Sequence, residues 1–221
     1  IHKTRSSDPW NDFRDYAAEM ADLRDAGMQV VLNIIYSESP KHTDAYYTER
    51  SRQAAALKPY RICFKDVGGL LTPERTRQVA RIIKEAAGDI PLEFHAHSNN
   101  GLAPINALEA VKEGITYIHT AVPPLANGTS QPSIFNVAAN LRALGYTALV
   151  NEAPLRSAEE RLTRIARQQD LPIGQPLEFD YSVYTHQVPG GMMSNLRYQL
   201  RLLGLEHRFE ETLEESARVR A

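Results

Sequence analysis

Phe94-His95-Ala96-His97 is the stretch on which the reading of this chain turns. Side chains two residues apart on an extended strand point to one face, so His95 and His97 are placed to close on a single metal ion. The preceding Asp89-Ile90-Pro91-Leu92-Glu93 reads as a short, mostly apolar strand, and Ser98-Asn99-Asn100-Gly101 reads as a loop. Both histidines therefore fall at a strand's carboxyl end, where α/β proteins build their sites. The competing reading of the pair is two partly buried, hydrogen-bonded side chains. A metal-dependent enzyme is the first expectation.

Working outward, apolar and β-branched runs recur at 28–36 (MQVVLNIIY), 60–64 (YRICF), 90–94 (IPLEF) and 115–119 (ITYIH). Their starts lie about 25 to 32 residues apart, the length of a βα unit. Asp8-Pro9 reads as the opening of a helix that ends at Gly27, and Thr72-Pro73-Glu74 repeats that signal for a helix ending at Gly88. A third helical pattern, 103–113, stops at Gly114, and a fourth follows Gln131-Pro132-Ser133 and ends near Gly145. Strand and helix alternate, which predicts a parallel sheet, open or closed. Beyond Gly145 the alternation fades: 146–150 is one further candidate strand, and 157–169, 195–203 and 209–220 read as helices around a Pro- and Gly-bearing stretch at 172–191. The expected organisation is an α/β domain over 1–150 and a helical extension over 151–221.

The 221 residues are 43% hydrophobic and 24% charged, an ordinary globular composition. A formal charge of −2 with interspersed signs gives no broad attraction for nucleic acid, so small or protein-borne substrates are expected. The single cysteine, Cys63, excludes an internal disulfide, and no apolar run approaches the roughly 18 residues of a membrane span. A cytoplasmic setting is expected.

Lys65 ends the strand before the histidine strand, in Arg61-Ile62-Cys63-Phe64-Lys65-Asp66-Val67-Gly68-Gly69. It reads either as a lysine paired with Asp66 or the following loop, or as a group beside the histidines. In the second case a desolvated neutral amine can take up carbon dioxide as a carbamate, an anionic oxygen ligand. The segment 120–133 (TAVPPLANGTSQPS) follows the next strand. There Thr129 or Ser130 reads as a helix cap, or Thr129 as a hydroxyl placed to exchange a proton with a bound substrate. His119 reads as a packed, hydrogen-bonded residue and Cys63 as a small core residue, and neither is expected in the site.

Taken in order, Lys65-Asp66-Val67-Gly68-Gly69-Leu70-Leu71-Thr72-Pro73, His95-Ala96-His97, Asn127-Gly128-Thr129-Ser130-Gln131-Pro132-Ser133 and His186-Gln187-Val188-Pro189-Gly190-Gly191-Met192-Met193-Ser194-Asn195-Leu196 resemble successive motifs of the biotin-dependent carboxyltransferase family. That family includes the carboxyltransferase domain of pyruvate carboxylase, the alpha subunit of oxaloacetate decarboxylase and the keto-acid subunit of transcarboxylase. The resemblance implies a TIM (β/α)8 barrel followed by a helical, funnel-like extension. It also implies an enzyme moving a carboxyl group between carboxybiotin and a 2-keto acid such as pyruvate or oxaloacetate, through a metal-stabilised enolate.

By position, His95 and His97 resemble two metal ligands, Lys65 a carbamylated lysine that bridges to the metal, and Thr129 the threonine that shuttles a proton between biotin and the keto acid. The implied cofactors are a divalent cation (zinc, manganese or cobalt) and biotin carried on another domain or chain, since no Met-Lys-Met biotinylation signature is present. The implied partners are a biotinyl carrier domain, a biotin carboxylase component and further copies of the chain.

Ser98 stands where the family commonly has an aspartate after the second histidine. The family's metal-binding aspartate and substrate-binding arginine, from its first strands, have no recognised counterpart. With four secure strands, a remnant at 1–5, and eight needed for closure, the chain is expected to be the later part of a barrel and inactive as an isolated fragment. Two alternatives remain at this point: a metal-dependent aldolase or lyase on a related barrel, and a non-catalytic fragment that holds a biotinyl carrier.

Overall fold

The structure, a computed structural model, describes residues 2–220. Five strands, β1 (Lys3–Ser6), β2 (Gln29–Ile35), β3 (Arg61–Asp66), β4 (Leu92–Ala96) and β5 (Tyr117–Ile118), form one sheet in the order β1-β2-β3-β4-β5. The pairings of β1 with β2, β2 with β3 and β4 with β5 are parallel. Sheet order that follows chain order is the layout of a barrel wall, whereas a doubly wound sheet reverses direction part-way. Of the remnant expected at 1–5, Ile1 lies outside the described residues, and the remainder belongs to β1.

The strands form where β-branched and aromatic residues run together. In β2, Val30, Val31, Leu32, Ile34 and Ile35 are all buried, the near-continuous apolar run of a strand covered on both faces. An aromatic ladder crosses the sheet, with ring centroids 6.4 Å apart for Tyr36 and Phe64 and 5.5 Å apart for Phe64 and Phe94. Helices α1 (Tyr16–Asp25), α2 (Asp44–Ala56), α3 (Pro73–Ala87) and α4 (Ala103–Lys112) alternate with the strands. After β5 the named elements among the described residues are helical, α5 (Ile134–Ala143), α6 (Glu152–Gln168), α7 (Val183–His186), α8 (Gly190–Leu202) and α9 (Phe209–Arg220), with one isolated parallel bridge between Ala121 and Ser133. The expected class, a parallel α/β sheet of barrel type with a helical continuation, is therefore met.

Helix α3 illustrates how the sequence codes this. Thr76, Val79, Ala80, Ile83 and Ala87 are buried at helical spacing, Pro73 occupies the first turn, and the Thr72 hydroxyl accepts from the Arg75 amide at 3.1 Å.

The start of α1 departs from expectation. Asp8 Oδ1 accepts from the amides of Trp10 (2.8 Å) and Asp12 (3.1 Å), so the cap residue closes a local turn and the helix begins only at Tyr16. Helix α2 escaped a pattern-based reading because only Tyr47, Ser51 and Ala54 of its thirteen residues are buried, too faint an apolar stripe. The candidate strand at 146–150 is irregular, and Leu149 is 93% exposed.

The chain divides into two compact units. One comprises the chain up to Asp66 with Leu71–His95 and Glu109–His119, and contains nearly all of the sheet; the other comprises Val67–Leu70, Ala96–Leu108 and the chain from Thr120 onward.

Among the helix starts, Thr72 makes a side-chain cap and Ser133, ahead of α5, makes none. Thr72→Ala is expected to cost about 0.5–2 kcal/mol in denaturant unfolding, and Ser133→Ala only a few tenths. Equal losses would contradict the capping assignment.

Candidate active site

The carboxyl ends of β3, β4 and β5 supply the first unit's polar groups. The Ile62 amide donates to the Pro91 carbonyl at 3.1 Å. At that register, carried up the two strands, Lys65 stands opposite His95. On the other side Glu93 pairs with Tyr117 and Phe94 with Ile118, so His119 falls opposite His95 in turn. Lys65, His95 and His119 thus form one row across three strands. Asp66 takes the opposite face: it is fully buried, and its Oδ2 accepts from the Leu71 amide at 2.9 Å. Alternation along β3 thereby turns Asp66 away from the lysine with which it was one candidate to pair.

His119, which the sequence reading set aside, is hydrogen-bonded as expected of a packed histidine, but one of its partners is His95, with Nδ1 to Nδ1 at 3.0 Å. Its Nε2 lies 3.0 Å from Glu93 Oε2. Glu93, 3% exposed, also takes Arg5 at 2.6 Å and Arg61 at 3.0 Å. Burial opposes its ionisation, but the hydrogen bonds from His119, Arg61 and Arg5 outweigh that cost and hold the carboxyl at about 2.

Cys63, Glu93 and His119 bring a sulfur, an oxygen and a nitrogen within 4.8 Å of one another. Two guanidinium groups already balance the carboxylate there, and burial pushes the Cys63 thiol up to about 12. A protonated thiol and a compensated carboxylate make a hydrogen-bonded cluster rather than a cation cage. Cys63 keeps the core role read from the sequence.

In the second unit, His97 Nδ1 lies 2.6 Å from the Thr129 backbone carbonyl. A carbonyl only accepts, so Nδ1 carries the proton and Nε2 the lone pair, and the Gln131 side chain is 3.4 Å from that Nε2. That is the tautomer a metal ligand needs. The loop is held by the Asn127 amide on the Gln131 carbonyl (2.7 Å) and the Ser130 amide on the Asn127 carbonyl (3.0 Å), with Asn127 and Gly128 both in the left-handed region, φ 71° and 56°. Neither Thr129 nor Ser130 caps a helix: α5 begins after Ser133.

The stretch at 186–196 packs on this loop. His186 Nδ1 accepts from the Val188 amide at 3.0 Å, and burial lowers the His186 pKa against the pull of Asp180 and Glu210. The Gly190 amide donates to the Val67 carbonyl at 3.0 Å. A Cβ on Gly190 would lie 2.6 Å from the Thr129 carbonyl oxygen and 2.7 Å from both Asn99 Oδ1 and His97 Nδ1. Only glycine lets α8 start against that hydrogen bond. Arg5, Glu93 and His119 in the first unit, and Gln131 and Gly190 in the second, are residues the sequence reading does not single out as site residues. The signal for Glu93 was available, because the alternation that pairs His95 with His97 also puts Glu93 on their face.

Residues 5–162 match the HMGL-like family, and residues 183–221 match the conserved carboxylase domain. The chain belongs to the HMGL-like family. Among curated members it is 32% identical over 219 residues to a pyruvate carboxylase subunit of Methanocaldococcus jannaschii, covering 98% of this chain and 38% of that protein. It is 30% identical over 217 residues to the methylmalonyl-CoA carboxyltransferase 5S subunit of Propionibacterium freudenreichii subsp. shermanii, covering 98% and 43%. The chain therefore spans less than half the length of these relatives. Among solved structures, the carboxyl transferase domain of Rhizobium etli pyruvate carboxylase superposes with a TM-score of 0.87 at 26% identity over 98% of this chain and 37% of that one, and the same domain has been solved with pyruvate and biocytin. The similarity to biotin-dependent carboxyltransferases read from the motifs is borne out by these HMGL-like relatives.

Gly190→Ala is expected to destabilise the protein by about 1–3 kcal/mol, the usual cost of overpacking a closed site, whereas Gly191→Ala, where a Cβ meets nothing within 4 Å, is expected to be nearly neutral. Thermal unfolding of the two variants decides it, and a neutral Gly190→Ala would overturn the packing described.

Proposed function

We propose that this chain carries the later strands and following helices of a biotin-dependent carboxyltransferase that moves a carboxyl group between carboxybiotin and a 2-keto acid. The observation that carries the reading is the hydrogen bond between His97 Nδ1 and the Thr129 carbonyl. It ties an expected metal ligand to the loop that bears the expected proton carrier, in a chain whose relatives are named for carboxylation and carboxyl transfer.

The donor set suits a divalent cation. By the motifs, His95, His97 and a carbamylated Lys65 are the residues to hold it; His97 has its lone pair on Nε2 and Lys65 stands in register with His95, and zinc, manganese and cobalt all accept this chemistry. When bound, such a cation supplies a Lewis acid that stabilises negative charge on the keto acid. Thr129 exchanges a proton between its hydroxyl and the biotin or keto-acid atom that gains or loses one. His97 keeps the Thr129 backbone in place through Nδ1, and Gly190 lets α8 close on that contact. Lys65 in its carbamate form brings the negative charge that two neutral imidazoles lack.

Biotin arrives on a carrier domain of another segment or chain, with a biotin carboxylase component and further copies of the chain as partners. No helix among the described residues is long and apolar enough to cross a membrane. The aldolase or lyase alternative has less support, since the conserved carboxylase domain match at 183–221 accompanies the barrel match.

The test uses the full-length protein with biotin and a keto acid. Thr129→Ala is expected to lower turnover by about 10²–10⁴ with folding little changed, and Thr129→Ser to recover part of the rate. A Thr129→Ala protein that turns over normally per folded molecule would remove Thr129 from the chemistry.

A further inference from the structure

The cluster on β4 and β5 has an internal order of hydrogen-bond donors and acceptors. Glu93 is an anion: Arg5 Nη2 lies 2.6 Å from Oε2, and Arg61 Nη1 lies 3.0 Å from Oε1. Arg61 is itself fixed by stacking over the Tyr117 ring, 3.5 Å from its centroid. A carboxylate in this state can only accept. His119 Nε2, 3.0 Å from Oε2, must then carry its proton on that nitrogen. Two guanidinium groups already outweigh the single charge of Glu93, so the cluster calls for no third cation, and His119 as a neutral donor keeps its lone pair at Nδ1; the atom facing it at 3.0 Å is His95 Nδ1, the two rings standing nearly perpendicular at 87°.

We propose that Glu93 and His119 are positioning residues that set the tautomer of His95: Glu93 Oε2 accepts a hydrogen bond from His119 Nε2–H, His119 Nδ1 accepts one from His95 Nδ1–H, and the His95 lone pair is held on Nε2. No bond to carbon is made or broken, and each proton stays on its own nitrogen. The consequence rests on the reading of His95 as a cation ligand, because the nitrogen that carries the lone pair is then Nε2, the same nitrogen that the Thr129 carbonyl selects in His97.

One contact argues for the opposite order and fails on charge. Arg5 Nη2 is 3.1 Å from His119 Nε2 and can donate to it. Arg5 Nη2 carries two N–H groups and could serve both atoms, but the Nε2 lone pair would then sit 3.0 Å from the oxygen of an anion, and that repulsion decides against it. Arg5 and His119 are instead two donors converging on one carboxylate oxygen. The His119 ring thus serves as a spacer that delivers the polarity of a buried charge on β4 to the next residue along the same face, by way of the neighbouring strand.

The experiment has two arms, both on the full-length protein. In the first, ¹⁵N-histidine labelling and a long-range proton–nitrogen spectrum of the metal-free protein read the tautomers directly, with His95→Gln assigning the signals. Protonated Nδ1 and unprotonated Nε2 are expected at His95, and the reverse at His119; the reverse pattern at His95 overturns the proposal. In the second, zinc affinity is measured against a competing chelator. His119→Leu, which removes the acceptor, is expected to weaken binding about 10–100-fold, whereas His119→Asn, whose amide oxygen occupies the Nδ1 position, is expected to stay within about 3-fold of the parent. Equal weakening by both variants would reduce His119 to a packing residue and overturn the proposal. Should His119→Leu not fold, the tautomer arm decides alone. A parent protein that binds no zinc but has the expected tautomers sinks the metal reading and leaves the relay standing.

Discussion

A carboxylate buried in the middle of a parallel sheet must be compensated, and the first unit is arranged around that requirement. Glu93 draws Arg5 from β1, Arg61 from β3 and His119 from the end of β5 onto its two oxygens. Charged groups seldom withstand burial without such pairing, because desolvation costs several kcal/mol per ion. Removing one member would strand the others. The flanking strands β3 and β5 bring Arg61 and His119 beside Glu93, whereas Arg5 reaches it from β1, three strands away, across one face of the sheet, so the site follows from the sheet rather than from any single loop.

The second unit solves a different problem, the placing of a loop. Residues 120–133 have little regular structure, yet Asn127 and Gly128 turn the backbone left-handed and the Thr129 carbonyl is fixed by His97. Gly190 then lets the first turn of α8 approach that carbonyl more closely than any side chain would permit. The Gly190-Gly191 pair in the last motif is therefore half structural necessity, at Gly190, and half open space, at Gly191.

Much of this was legible beforehand, for physical reasons. Buried parallel strands require continuous apolar runs, so β2, β3 and β4 stood out, and the Thr72-Pro73 start of α3 carries its cap and its preset dihedral in adjacent letters. Local hydrogen bonding misled at Asp8, where a side chain fit to cap a helix closes a turn instead. Helix α2 was missed because its buried stripe is three residues wide. The chemistry divided similarly. His95, His97, Lys65 and Thr129 were found through spacing and motif, but His119 was discounted because a lone histidine has no partner until strand register supplies one. Arg5 is 88 residues from Glu93 in sequence (93 minus 5) and on a strand that does not pair with β4, so only the folded sheet brings the two into contact.

The central claim is that the histidine pair two residues apart at the end of β4 holds a divalent cation. Metal analysis of the purified full-length protein, compared with a His95→Ala/His97→Ala double variant, tests it most directly. The account predicts a stoichiometric divalent metal in the parent and its loss in the variant, with the fold retained. A double variant that keeps the parent's full metal content would contradict it.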